Sequence, residues 1–173
     1  MKRLNTLAIF VSILALAVPA AFGQTFAGTG TTTLSIAVGP EAAISVTEAS
    51  TPLSMGAGLF SDYTGTTNFT YKIRTSKTNG TGSITASVAE FGVGGPSLAA
   101  GDLKYTCTVS APGTGCSSEV TAAMAGTNVA GFGANARSAK SGNSGSVSWT
   151  LVNDPQYETG THTSVVTFSI SAL

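Results

Sequence analysis

The stretch Asn68-Phe69-Thr70-Tyr71-Lys72-Ile73-Arg74 decides the fold. Phe69, Tyr71 and Ile73 take every second position, and Asn68, Thr70, Lys72 and Arg74 fill the places between them. Side chains alternate across a β-strand, so this pattern sends the apolar groups to one face and the charges to the other. A strand with one face buried and one in water is characteristic of an antiparallel sheet.

Working outward, the alternation recurs. It is seen at Leu34/Ile36/Val38, Ile44/Val46, Ile84/Ala86/Val88 and Leu103/Tyr105/Cys107/Val109. A weaker run passes through Val120, Ala122 and Met124, and two strong ones follow at Val147/Trp149/Leu151 and Val166/Phe168/Ile170. Gly, Pro, Asn and Asp separate these runs, as strand boundaries require. Asn79-Gly80 lies between the runs at 69–73 and 84–88, and Asn-Gly suits the tight turn of a hairpin. Residues 47–67 and 125–145 read as long glycine-rich connections. A short helix at 134–140 would have little room beside Gly131, Gly133 and Gly142. Seven to eight strands, each hiding one face, are best satisfied by two sheets packed together. The expected fold class is therefore all-β, an antiparallel β-sandwich, formed by a single domain over residues 24–173.

Residues 1–23 read as a signal peptide. Lys2 and Arg3 supply the basic start, residues 7–18 (LAIFVSILALAV) the apolar stretch, and Ala21-Phe22-Gly23 the small residues before a cut at Gln24. Pro19 ends any helix. The apolar stretch is shorter than the roughly 20 residues needed to span a bilayer. The expectation is export through the periplasm to the cell surface or beyond, with no membrane span in the mature chain.

Without Lys2 and Arg3, six basic residues face eight acidic ones. That balance argues against nucleic acid, whose phosphates call for a surplus of Lys and Arg. Only 9% of the chain is charged, so Thr, Ser, Gly and Asn must cover the surface. Cys107 and Cys116 form an even pair in an exported chain and read as a disulfide. A metal reading would need further ligands, and His162 is the only histidine. No cofactor is implied.

Enzyme chemistry finds little footing. The row around Ser144 reads GNSGS and makes no nucleophile elbow. His162 shares the parity of Val166, Phe168 and Ile170 and reads as a residue opening the last strand. Asp154 and Glu158 could be cast as a carboxylate pair, but loop carboxylates before a strand are ordinarily turn-formers or solvated. Residues 131–136 fit G-x-G-x-x-A by count, without the βαβ unit that a dinucleotide site requires. The sequons at Asn68 and Asn79 fall on a strand and a turn. The chain reads as no enzyme. Trp149 lies on the parity of Val147 and Leu151, which points it inward. Were it outward, it and Tyr157 would be the candidate ligand contacts, stacking on a sugar ring.

Three motifs of the last third carry a resemblance: Ser148-Trp149-Thr150-Leu151, Tyr157-x-x-Gly160-Thr161-His162, and Val166-x-Phe168-x-Ile170. Together they resemble the closing strands of bacterial surface β-sandwich modules, namely the spore-coat-U and pilin-like subunits of chaperone–usher systems and the WxL cell-wall module. Gly160, the fourteenth residue counted back from the end, matches a pilin habit, whereas Ala172 stands where pilins favour tyrosine. Of the two Trp-x-Leu motifs of WxL modules, only Trp149-Thr150-Leu151 is present. The resemblance implies an Ig-like or pilin-like sandwich with a structural or adhesive role at the cell surface. Its expected partners are copies of itself, other surface subunits and a periplasmic chaperone.

Two function classes follow. One is a structural or adhesive subunit acting by strand pairing between proteins. A donor segment for it would alternate apolar residues, and Phe26, Gly28, Gly30 and Thr32 share the parity of Leu34, with only Phe26 apolar. The other is an extracellular carbohydrate- or ligand-binding module.

Overall fold

The fold is taken from a computed structural model that describes residues 28–173; the signal-peptide reading of residues 1–23 lies outside them. Two units are distinguished, one ending at Ile36 and one running from Ala37 to Leu173. Residues 28–36 form no strand.

The larger unit is all-β. Nine strands follow in order: β1 (Glu41–Val46), β2 (Ser54–Met55), β3 (Tyr63–Arg74), β4 (Gly82–Val88), β5 (Leu103–Val109), β6 (Val120–Thr121), β7 (Thr127–Phe132), β8 (Asn143–Leu151) and β9 (Val166–Ala172). They make two antiparallel sheets. One has the order β1-β3-β8-β5-β6, with β2 also on β3; the other has the order β7-β4-β9. The sandwich expected from the alternation is the fold, with two of its strands only two residues long.

Strand β3 carries the architecture. Thr67, Phe69, Tyr71 and Ile73 are buried while Asn68, Thr70 and Lys72 are exposed. The strand pairs with β8 from Tyr63↔Leu151 to Tyr71↔Asn143. β8 in turn pairs with β5 from Leu103↔Leu151 to Val109↔Gly145. From the other sheet, Ile84, Ala86 and Val88 of β4 and Val129, Ala130 and Phe132 of β7 complete the core. Burial of these apolar faces is the main force joining the layers. Buried phenols are tied off: Tyr71 donates to the Ser110 carbonyl at 2.5 Å, and Tyr105 reaches Thr127 Oγ1 at 2.8 Å. Burial raises the pKa of both. Gly145 faces Phe69 across the ladder, where a Cβ would overlap the phenylalanine ring, so the ring lies over bare backbone.

Several sequence expectations need correction. Leu34, Ile36 and Val38 lie in no strand and are 93%, 87% and 58% exposed. Asn79 takes the left-handed φ of 57°, yet the turn joins β3 to β4 in the opposite sheet and makes an arch instead of a hairpin. A tight reversal is compatible with both outcomes; the apolar faces of β3 and β4 need the same core, and only the arch sets them opposite each other. The stretch 125–145 contains β7, where a register shift between Ile84 and Thr85 leaves adjacent Val129 and Ala130 both buried. That bulge erases the period of two. Residues 134–140, where the glycines left little room for a helix, indeed form none, and the Ala136 amide donates to Thr75 Oγ1. β3 also begins five residues before the apolar alternation does, in the polar segment 63–67.

Candidate functional site

The two sides of the sandwich are finished differently. On one side, the loop after β5 folds over β7. Cys107 and Cys116 form a disulfide, with Cα atoms 5.1 Å apart, that pins this loop to its own strand. Thr114 and Gly131 then exchange both backbone hydrogen bonds, at 3.0 and 2.9 Å, which ties the loop to the second sheet. The seam between the sheets is closed there.

On the other side lie β1 and β9, which touch across the layers. β9 is the last strand of its sheet, paired with β4 along one edge only. Among the described residues, no strand pairs with its other edge, which leaves a row of backbone donors and acceptors available. Its inward residues are incompletely covered: Val166, Phe168, Ile170 and Ala172 are all half-buried, and so are Ala42 and Ile44 of β1. Ile84, Ala86 and Val88 of β4, which pair with Ile170, Phe168 and Val166, are fully buried. Phe168 touches Phe69, with ring centroids 5.7 Å apart, but it remains partly in water. This side is a shallow apolar seam flanked by a free strand edge.

The residues singled out from the sequence lie elsewhere. Trp149 is interior, 4% exposed, with its ring edge-on to Tyr105 at 5.1 Å. Its Nε1–H donates to Thr67 Oγ1 at 2.9 Å. Tyr157 sits in the loop between β8 and β9, and its hydroxyl donates to Asp102 Oδ2 at 2.7 Å. Burial, the Asp102 hydrogen bond and the charges of Asp102 and Asp154 all raise its pKa strongly. The two rings have no shared contact that would make a sugar platform. His162 is not on a strand; its Nε2–H donates to the Glu158 carbonyl at 2.9 Å. Asp154 accepts from the Gln156 amide as a turn former, and Glu158 is exposed. Gly131 and Phe132 end β7, and no helix follows them. Among the described residues no cluster of His, Cys, Asp or Glu could hold a metal ion.

One feature was missed by sequence reasoning. Where β3 ends, Arg74, Thr75, Ser76 and Lys77 meet Asn135 and Arg137 around an open cleft of about 480 Å³ that also touches residues 38–40. Arg74 donates through Nε to the Gly39 carbonyl at 2.7 Å and through Nη2 to Glu41 at 3.0 Å. Arg137 donates to Asn135 Oδ1 at 2.6 Å. The backbones of Arg74 and Arg137 form an antiparallel bridge, so residues 63 positions apart bring two guanidinium groups to one site. No signal along the chain marks that pairing.

No protein family, curated protein or solved structure matches the chain.

Proposed function

We propose that this chain is an exported, cell-surface structural or adhesive subunit that works by strand pairing with copies of itself or other surface subunits, and not by catalysis. The open edge of β9 over a half-covered apolar seam carries this reading. A strand added to that edge would satisfy its free backbone groups and, with alternate apolar side chains, cover Phe168 and Ile170. The chain contains a segment of that kind: Leu34, Ile36 and Val38 recur at every second position and are exposed. Segment 28–38 of one copy laid along β9 of another is the pairing proposed. An edge of this sort is also an aggregation hazard before its partner arrives, which is the role of a temporary periplasmic cover. The carbohydrate-binding alternative loses its main platform, because Trp149 faces the core.

The test is self-association of the exported protein, followed by sedimentation velocity over a range of concentrations. Leu34→Asp/Ile36→Asp changes two exposed residues and should leave the melting temperature unchanged while abolishing association. A double variant that associates like the parent, or a parent that stays monomeric throughout, would refute strand pairing.

A further inference from the structure

The charges of the sandwich are sorted by end. β3 runs the length of the molecule, and its twelve residues separate the two ends by about 36 Å at the usual strand rise. At the end where β3 finishes stand Lys72, Arg74, Lys77, Arg137 and Lys140, five of the six Lys and Arg residues in 28–173. The arrangement is imposed by pairing: Arg74 bridges Arg137, the Ser138 amide donates to the Ile73 carbonyl, and Gly142 packs beside Lys72. Glu41, bound to Arg74, is the one acidic side chain that opposes them there.

At the opposite end the loops carry Asp62, Glu90, Asp102 and Asp154, just outside the ends of β3, β4, β5 and β8, and Glu158 farther along the loop after β8. The hydrogen bonds of that end join them into one surface: Asn153 to Asp62, Tyr157 to Asp102, and Glu158 to Gly94. These loops hold no Lys or Arg, and His162 is their one basic side chain. Lys104 stands nearby but is paired with Glu119 at 3.3 Å. The remaining acid, Glu48, is bound to Asn68 at mid-strand. With six basic and eight acidic residues largely sorted by end, residues 28–173 make a strong dipole.

We propose that the basic end, centred on the cleft of Arg74, Lys77 and Arg137, is a docking surface for the acidic end of a second copy of this chain. The two ends are too far apart to interact within one molecule, since screening cuts surface charges off within about 8 Å at physiological salt. Between molecules they are complementary, whereas like ends repel. Charge complementarity of this kind steers encounter and fixes orientation. The contact is heterologous, one end against the other, so it propagates into a chain of subunits with a single polarity unless the rotation closes a ring. The proposal rests on the self-association reading above: strand pairing would hold the copies, and the charged ends would set which way round they meet.

Two variants isolate the end-to-end contact. Lys77→Glu/Arg137→Glu removes the positive surplus of the basic end, and Asp62→Lys/Glu158→Lys removes nearly all of the negative charge of the acidic end. Each alone should associate at least roughly tenfold more weakly than the parent in sedimentation velocity. Mixed, they should recover association, because the untouched acidic end of the first meets the untouched basic end of the second. Parent association should also weaken by roughly tenfold between about 50 and about 500 mM NaCl. This salt series stands even if a reversal variant does not fold, as does the neutral pair Lys77→Gln/Arg137→Gln, for which the same direction is expected. A mixture no tighter than its components, or parent association indifferent to salt, overturns end docking. If association is then still lost in Leu34→Asp/Ile36→Asp, strand pairing survives without it. If recovery on mixing persists in that background, end docking survives and strand pairing falls.

Discussion

Replacing Trp149 by alanine would remove the indole at the centre of the larger sheet's inner face. The side chain is 4% exposed, packs edge-on against Tyr105, and pairs in the ladder with Gly65 on one side and Tyr105 on the other. Truncating a buried tryptophan typically costs about 3–5 kcal/mol, because the cavity collapses only in part. Collapse is hindered here by strands fixed on both sides, which favours the upper half of that range. A domain of this size has a total stability of about 5–15 kcal/mol, so much of it would be lost. The corresponding fall in melting temperature is roughly 6–20 °C. Trp149→Phe separates packing from polarity. It retains most of the ring but loses the Nε1–H bond to Thr67, whose hydroxyl keeps Thr51 Oγ1 at 2.7 Å as a partner. With that partner in place the lost bond should cost about 1 kcal/mol, plus a small packing term. Urea unfolding followed by circular dichroism measures both variants. Parent fluorescence should be blue-shifted and poorly quenched by iodide. Trp149→Ala unfolding within about 1 kcal/mol of the parent, together with red-shifted and readily quenched emission from the parent, would refute the reasoning.

Two further outcomes are expected. Removing the disulfide with Cys107→Ser/Cys116→Ser frees a loop with a sequence separation of 9, which in the chain-entropy account lowers stability by about 2–3 kcal/mol; an unchanged urea midpoint would contradict it. Tyr157 has a raised pKa in the fold, caused first by burial and then by Asp102, so its contribution is complete below the ordinary value of 10.0 and is lost as pH rises toward the folded value. Alkaline absorbance titration should therefore show late-ionising phenol, reduced by Tyr157→Phe, and a Tyr157→Phe titration identical to the parent's would rule this out.

The sequence disclosed the sheets best where one face is simply apolar. Phe69, Tyr71 and Ile73, like Val147, Trp149 and Leu151, alternate without interruption, and all are buried. It was less legible where burial follows something other than a period of two. β7 was hidden by its bulge, and the first turns of β3 by threonines whose place is fixed through pairing with β8. Leu34, Ile36 and Val38 show the converse, since their alternation is as clear as that of any strand but they lie in no strand and are exposed. Alternation records a demand for cover, and a second molecule can meet that demand as well as the same one. The charged ends were illegible for a different reason. Lys77 and Arg137 are 60 positions apart, and only the arch between the sheets brings their loops together.

The central ladder also sets a timetable. Tyr63 pairs with Leu151 and Tyr71 with Asn143, so the middle of the larger sheet joins residues about 70–90 positions apart. A ribosome adding about 5–20 residues per second takes roughly 4–15 s to proceed from the end of β3 to the end of β8. For that interval Phe69, Tyr71 and Ile73 have a neighbour on one side only, in β1. Nonlocal topologies of this kind are slow to close even once the chain is complete, commonly in about milliseconds to seconds. Asn68, Thr70 and Lys72 then act as gatekeepers, since hydrophilic residues between apolar ones discourage the waiting strand from pairing with another like it. The nascent chain remains open until β8 is made, and a chain that folds late is one that can still be threaded through a pore.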